Sequence, residues 1–192
     1  MSKVVLKLGD DVSTDIIYPG RFMATVLPAE TPRHAFADIP QFNSRLLKKE
    51  IAPGSVIVAG KNFGCGSSRE QAVSALKGHE LVVAAKSFAR IFLQNAVNLG
   101  LKTVACPGIE ASEGDEVELT VGQGCPVPNA SDSENSRREF SPVRVGGGHV
   151  INHSTGGRFD LIPLPRPRQE IMDAGGLIPY ARVRLLKRPK II

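Results

Sequence analysis

The chain has 192 residues, 42% of them hydrophobic, which predicts a single globular domain over residues 1–192 with a buried core. Its net charge of +5 would suit nucleic acid, yet aromatic residues make up only 5% of the chain and it contains no nucleic-acid recognition motif. No apolar run approaches the roughly 20 residues of a membrane span, and residues 1–10 show no leader pattern. Three cysteines without paired spacing argue for a reducing compartment. We therefore expect a cytoplasmic protein with no membrane or nucleic-acid partner.

The first half of the chain alternates between strand-like and helix-like patterns. Short apolar runs rich in valine predict strands, and apolar residues at helical spacing predict helices between them. In chain order we expect strands at residues 4–7, 56–59, 81–85 and 103–106, and helices at 69–77 and 88–99. A long turn-rich stretch separates the first two strands. This alternation predicts an α/β core.

Both predicted helices have a serine near their start. Ser67 or Ser68 would cap the first helix and Ser87 the second, because a serine oxygen accepts a hydrogen bond from an unpaired amide of the first turn. The second helix has one apolar face, which we expect in the core; it consists of Phe88, Ile91, Phe92, Ala96 and Leu99.

The second half of the chain is predicted to be β-rich. Alternating patterns indicate strands at residues 116–121, 149–153 and 158–164. Between the first two of these strands, residues 122–148 are crowded with Gly, Ser, Pro, Asn and charged residues, which predicts a long loop.

Neither the histidines nor the first aspartates of the chain form a predicted metal site. His149 and His153 would lie on one face of a strand about 13 Å apart, too far to share one ion. Asp10, Asp11 and Asp15 lack the spacing of a calcium loop, so we expect carboxylates that cap turns. We therefore expect that no residue of this chain binds a metal ion.

The glycine-rich loop at residues 61–70 lies between a predicted strand and a predicted helix. The N-terminus of a helix favours a carboxylate or phosphate, and Arg69 can add a bidentate fork. The run matches neither a Walker loop nor a dinucleotide fingerprint, and no histidine motif suggests a base for Cys65. An anion-binding loop and a plain tight turn with a surface Arg–Glu pair both remain open on these residues alone.

Four ordered motifs carry a resemblance to a known family. They lie at residues 9–17, 64–70, 86–92 and 174–180. The chain resembles the small subunits of the 3-isopropylmalate dehydratase family, in the aconitase superfamily, over roughly residues 3–121 and 148–181. The resemblance implies an aconitase-like swivelling β/β/α domain, in which residues 122–148 contain an insertion of about twenty residues relative to the family.

The resemblance also implies a reaction, in which a hydroxyl moves between adjacent carbons of a malate-like di- or tricarboxylate by dehydration and rehydration. By the same resemblance Ser67 is the catalytic base, and Arg69 binds a substrate carboxylate. Amides of Gly66 to Ser68 would stabilise negative charge, and Thr14 and Asp15 lie near the active site.

The family's Lewis acid is a [4Fe-4S] cluster held by three cysteines of a large subunit. The resemblance therefore implies that this chain binds no cofactor itself and is active only with a large-subunit partner. Cys65, Cys106 and Cys125 are expected not to bind the cluster. The isolated small subunit is also expected to be able to self-associate.

The stretch at residues 19–25 resembles the family's loop that distinguishes substrates. Homoaconitase-like small subunits have an arginine where Ala24 stands, whereas Ala24 with Phe22 and Met23 offers an apolar surface for an alkyl group. Isopropylmalate is favoured over homocitrate on this basis. Arg21 either contacts substrate or is a surface arginine.

Two alternatives remain open. The chain could belong to a related methylmalate-type or homoaconitase-like dehydratase, because an apolar pocket separates one methylene by only about 1–3 kcal/mol. It could also be a noncatalytic anion-binding regulatory subunit, although retention of both Ser67 and Arg69 argues against that.

Overall fold

The computed structural model describes residues 1–122 and 148–186. Within these ranges seven strands form one sheet: β1 (Ser2–Lys7), β2 (Val56–Ala59), β3 (Val82–Ala85), β4 (Thr103–Ala105), β5 (Glu116–Thr120), β6 (His149–Asn152) and β7 (Gly157–Asp160). The helices of the same ranges are α1 (Thr14–Ile17), α2 (Pro40–Leu47), α3 (Glu70–Gly78), α4 (Arg90–Leu99), α5 (Arg166–Asp173) and α6 (Leu177–Leu186). Short 3₁₀ turns occur at Gly20–Phe22 and Thr31–His34.

The sheet has a parallel half and an antiparallel half. Its strand order is β4-β3-β2-β1-β5-β6-β7; strands β1 to β4 are parallel to one another, and β5 pairs antiparallel with β1 and with β6, as does β6 with β7. A single bridge connects Ala105, at the end of β4, to Ile162, just after β7, and the amide of Ile162 donates to the carbonyl of Ala105 at 2.8 Å. The sheet therefore curls back on itself, so that its two halves face each other.

The parallel strands are buried on both faces. In β2, Ile57 and Ala59 pack with the helices, whereas Val56 and Val58 pack against residues of the antiparallel half such as Val117. This gives three layers, which are helices, parallel sheet and antiparallel sheet. The predicted α/β core with a β-rich second half, and the β/β/α arrangement implied by the resemblance, are confirmed.

The helix layer confirms most of the predicted apolar face of the second helix. Phe92 and Ala96 of α4 are buried, and Phe88 packs against the same core from just before the helix. Ile91 is an exception, because it is 45% exposed on the opposite side of α4. Gly100 ends α4 in the left-handed conformation, with φ of 74°.

The predicted serine caps are wrong. Helix α3 begins at Glu70 and its cap position is Arg69, which makes no side-chain cap bond. Ser87 accepts a hydrogen bond from the amide of Asn62 at 2.9 Å instead of capping α4. In both cases a contact with another loop replaces the local cap, and the hydroxyl of Ser67 stays available at the surface.

Helices α2, α5 and α6 were not predicted. Helix α2 lies in the turn-rich stretch, begins with a proline in its first turn and buries Phe42 and Leu46 four residues apart. Helices α5 and α6 follow the antiparallel strands. The predicted insertion falls almost wholly on residues 123–147, which lie outside the described residues, as does Cys125.

Candidate functional site

The glycine-rich loop leaves the end of β2 and runs beside the segment that precedes α1. The amide of Gly64 donates to the carbonyl of Val12 at 2.7 Å, and the amide of Thr14 donates to the carbonyl of Cys65 at 2.8 Å. Asp10 accepts the amide of Lys61 at 2.7 Å, so its carboxylate connects two segments 51 positions apart instead of capping its own turn. We call residues 61–69 the catalytic loop, after the role that the resemblance implies for Ser67.

Two glycines of the catalytic loop have positive φ angles, 80° for Gly64 and 89° for Gly66. A Cβ atom on Gly64 would lie 2.2 Å from Cγ of Phe92, so the ring of α4 occupies the space that a side chain would need. The loop can adopt this path because glycine has no Cβ and tolerates the left-handed region. Because Gly64 has no side chain, Phe92 of helix α4 can pack directly against the loop.

Ser67 is exposed and lies against Thr14, which is buried at the start of α1. The Thr14 hydroxyl donates to the Ser67 carbonyl at 3.0 Å, and the two side-chain oxygens are 3.5 Å apart. Within residues 1–122 and 148–186, the amides of Gly66, Ser67 and Ser68 donate to no protein acceptor. A serine oxygen thus lies beside three consecutive free N–H donors, a suitable environment for negative charge.

Arg69 is held in place by the same N-terminal segment. Its Nη1 donates to the carboxylate of Asp15 and to the carbonyl of Tyr18, the latter at 3.2 Å. The side chain is only 15% exposed, and Gly20 lies against its Nη2. Because one terminal nitrogen makes both of these bonds, the rest of the guanidinium fork is available for an anion.

The predicted substrate loop, residues 19–25, leads away from Arg69; we call it the substituent loop. Arg21 forms a two-bond ion pair with Asp38, at 2.5 and 3.1 Å, which raises the pKa of Arg21 and lowers that of Asp38. The half-buried Phe22 stacks on His34 with ring centroids 4.0 Å apart. Met23 and Ala24 are exposed. The apolar surface predicted for this loop is thus formed mainly by Met23 and Ala24.

The structure therefore brings together Thr14, Asp15 and residues 66–69, as the site prediction requires. Sequence reasoning missed Tyr18, His34 and Asp38, which contact the substituent loop. No local pattern identifies them, since their contacts are made by side chains from separate turns.

Comparison of this sequence with those of known proteins identifies the family. Residues 29–108 match the family model described as the aconitase C-terminal domain. The chain is 43% identical over 183 residues to the 3-isopropylmalate dehydratase small subunit 1 of Methanopyrus kandleri, covering 94% of this chain and 88% of that protein. The chain belongs to the 3-isopropylmalate dehydratase small-subunit family. It is also 37% identical over 185 residues to the isopropylmalate/citramalate isomerase small subunit of Methanocaldococcus jannaschii, covering 94% of this chain and 93% of that protein.

A solved structure supports the same assignment for this member of the family. The crystal structure of a 3-isopropylmalate dehydratase from Methanocaldococcus jannaschii matches with a TM-score of 0.72 and 36% identity, covering 96% of this chain and 94% of that one. The predicted family and fold are therefore confirmed. No helix among the described residues is long and apolar enough to cross a bilayer.

The two described cysteines of this family member lie in separate layers. Cys65, in the catalytic loop, is half-buried and donates to the carbonyl of Asp11 at 3.3 Å. Cys106 is buried between the two halves of the sheet, and burial raises the pKa of its thiol to about 11. Across residues 1–122 and 148–186, no group of three or more His, Cys, Asp or Glu side chains is placed to hold a metal ion. These donors do not fit an iron–sulfur cluster, which needs several thiolates converging on one point.

An open cavity of about 780 Å³ lies at the ends of β1 and β2, between the two halves of the sheet. Charged residues of both signs line it, among them Lys7, Asp10, Lys86 and Asp115. None of the predicted site residues is part of its lining. The cavity is thus separate from the catalytic loop.

Proposed function

We propose that this chain is the small subunit of a hydro-lyase that interconverts 2-isopropylmalate and 3-isopropylmalate, a step of leucine biosynthesis. The observation that carries the proposal is the pairing of Thr14 with Ser67 and of Asp15 with Arg69 on two adjacent segments. This arrangement supports the roles of Ser67 as a proton acceptor and of Arg69 as a carboxylate-binding cation on the same loop. Those are the two groups that dehydration beside a carboxylate requires from this chain.

In the proposed reaction, Ser67 Oγ takes the proton from the carbon next to a carboxylate, and the hydroxyl of the neighbouring carbon leaves. Loss of water gives an alkene, and rehydration with the positions exchanged gives the isomer. The serine must act as an alkoxide, which needs strong local stabilisation. The free amides of residues 66–68 can supply it, and the Thr14 proton can turn from the Ser67 carbonyl to Ser67 Oγ.

Arg69 would bind a substrate carboxylate with the part of its guanidinium that faces the solvent. Asp15 and the Tyr18 carbonyl hold Nη1, so the fork keeps one orientation before substrate arrives. A fixed fork binds a carboxylate in one orientation and so places the adjacent carbon toward Ser67.

The exposed side chains of Met23 and Ala24 would face the alkyl substituent of the substrate. This favours an alkylmalate over a substrate with a third carboxylate. The relative from Methanocaldococcus jannaschii is named for both isopropylmalate and citramalate, so citramalate is a second candidate substrate.

The site would be completed by a large-subunit partner. The names of the relatives as small subunits support such a partner. We place the family's [4Fe-4S] cluster on it, because Cys65 and Cys106 lie in different layers and each donates to a backbone carbonyl. The cluster supplies a Lewis acid for the departing hydroxide. Both cysteines in the described part of the chain are free, which is consistent with a reducing cytoplasm.

Replacement of Ser67 tests the proposal. With the cognate large subunit under anaerobic conditions, Ser67→Ala should lower kcat for isopropylmalate by about 10²–10⁴-fold, because the proton acceptor is lost. Assembly and thermal stability should stay at wild-type values, since the serine is exposed. The matched control is Ser44→Ala in α2, which should keep full activity.

Full activity of Ser67→Ala would remove the serine from the mechanism. The activity of the cluster-loaded wild-type complex should also be measured with isopropylmalate, citramalate, dimethylmalate and homocitrate. Absence of turnover with all four substrates would favour a noncatalytic anion-binding subunit.

A further inference from the structure

The substituent loop is held by side chains that lie outside it. Tyr18 is fully buried, and its hydroxyl lies 3.1 Å from the carbonyl oxygen of Phe22 and 3.4 Å from that of Thr25. One phenol therefore connects the middle of the loop to its end. Because the ring is anchored in the core, the loop backbone is tied to a fixed point.

A stack of side chains holds the loop from the other side. The ring of Phe22 stacks on the imidazole of His34, at 4.0 Å and 10° from parallel, and the guanidinium of Arg21 lies over the same ring at 4.7 Å. Asp38 fixes that guanidinium with two hydrogen bonds. Tyr18 also meets Phe22 and His34 edge-on, at 6.5 and 6.0 Å. Stacked and edge-on aromatic contacts of this kind add attraction beyond their buried area.

The segment that supplies His34 is itself attached to helix α3. The hydroxyls of Thr31 and Ser74 are 2.9 Å apart, and Nε2 of His79 lies 2.9 Å from the carbonyl of Pro32. Helix α3 begins directly after Arg69. The position of the substituent loop relative to Arg69 is therefore set through this segment.

We propose that Tyr18, His34 and Asp38, together called the loop clamp, are positioning residues that determine which alkyl substituent the enzyme accepts. This inference rests on the proposed function. None of the three is assigned a contact with substrate; they act through the loop that presents Met23 and Ala24. A fixed loop gives an alkyl pocket of defined size, whereas a mobile loop would accept small and large substituents more evenly.

The test uses the complex with the large subunit and measures kcat/KM for isopropylmalate and for citramalate. His34→Ala and Tyr18→Phe should each lower the ratio of the two values about tenfold, mainly through a higher KM for isopropylmalate. The kcat for citramalate should stay within about threefold of wild type. His34→Phe should restore the ratio, because a phenyl ring can take the place of the imidazole in the stack. His153→Ala is the matched control, since His153 pairs with Glu118 in the antiparallel half of the sheet and contacts neither the loop nor the segment that supplies His34.

Hydrogen exchange of the loop amides gives a readout that does not depend on activity. The amides of Met23 and Thr25 donate to carbonyls within the loop, at 3.1 and 2.9 Å. His34→Ala and Tyr18→Phe should make these amides exchange at least about tenfold faster, and His153→Ala should not.

Three results would overturn the proposal. Unchanged exchange in both variants would refute the loop clamp, whatever the activity. Faster exchange with an unchanged substrate ratio would separate loop mobility from selectivity. A wild-type complex that turned over no alkylmalate would refute the proposed function and the selectivity role together, whereas the exchange data would still show whether Tyr18 and His34 hold the loop.

Discussion

The catalytic loop and the substituent loop lie beside each other but are held by different forces. The catalytic loop is fixed mainly by backbone hydrogen bonds to residues 11–14 and by Gly64, which packs against Phe92 of α4. The substituent loop is fixed mainly by side chains from neighbouring turns. Backbone contacts are insensitive to side-chain identity, whereas side-chain contacts change with every substitution. The predicted chemistry of the site thus depends mainly on a frame of backbone contacts, and its proposed selectivity on a frame of side-chain contacts.

The largest effect should come from breaking the frame of the catalytic loop. Gly64→Ala places a methyl group 2.2 Å from Phe92 at a φ of 80° and should lower the free energy of unfolding by about 3 kcal/mol or more. Gly54→Ala is the control, because Gly54 has a φ of 78° but no atom within 4 Å of the added methyl. It should cost only about 1 kcal/mol. Denaturant unfolding of the two variants measures the difference, and equal costs would show that packing on Phe92 does not matter.

A smaller effect, on activity alone, should follow from replacing Arg69, the cation at the end of the catalytic loop. Arg69→Lys keeps the charge but loses the planar fork, so kcat/KM should fall about 100-fold, or about 2.7 kcal/mol. Thermal stability should change little, because a lysine can still pair with Asp15. Arg45→Lys, on the exposed face of α2, serves as the control. Wild-type kcat/KM in Arg69→Lys would mean that this arginine does not bind a carboxylate bidentately.

The smallest effect should be a pH dependence confined to the substituent loop. Burial lowers the pKa of His34 from 6.5, and the positive charges of Arg33 and Arg21 lower it further, while Glu30 opposes them. The folded state resists protonation of His34, so its contribution to stability is complete above pH 6.5 and declines as the pH falls below that value. The melting temperature of wild type should therefore drop more between about pH 7.5 and 5.5 than that of His34→Phe. Parallel curves would show that His34 does not titrate in this range.

The parts of the fold that could be predicted from the sequence depend on neighbouring residues. Valine runs such as residues 56–59 identify buried strands, and glycines followed by a helical pattern identify the catalytic loop. Helix α2 also has local helix signals, namely a proline in its first turn and apolar residues four positions apart, but the turn-forming residues around it led to the prediction of a turn-rich stretch. Helix α6 mixes apolar and charged residues without one apolar face, so its sequence pattern gave no helix prediction.

The features that could not be predicted depend on tertiary contacts. Ser87 looks like a helix cap, but the amide of Asn62, which is 25 positions away, takes its oxygen. The stacking of Phe22 on His34 likewise depends on how two turns pack. The existence of the loop at residues 61–69 could therefore be predicted from the sequence, whereas the contacts that support the substituent loop could not.

The hydrogen bond between Ile162 and Ala105 has a further consequence for the isolated chain. Strands β4 and β7 are the two outer strands of the sheet, and this bond brings them together at their ends. Unpaired outer strands are templates on which a second chain can add by backbone pairing. Because the curl brings the ends of these two outer strands against each other, we expect copies of this chain to meet through side-chain surfaces rather than by extending the sheet from one molecule to the next.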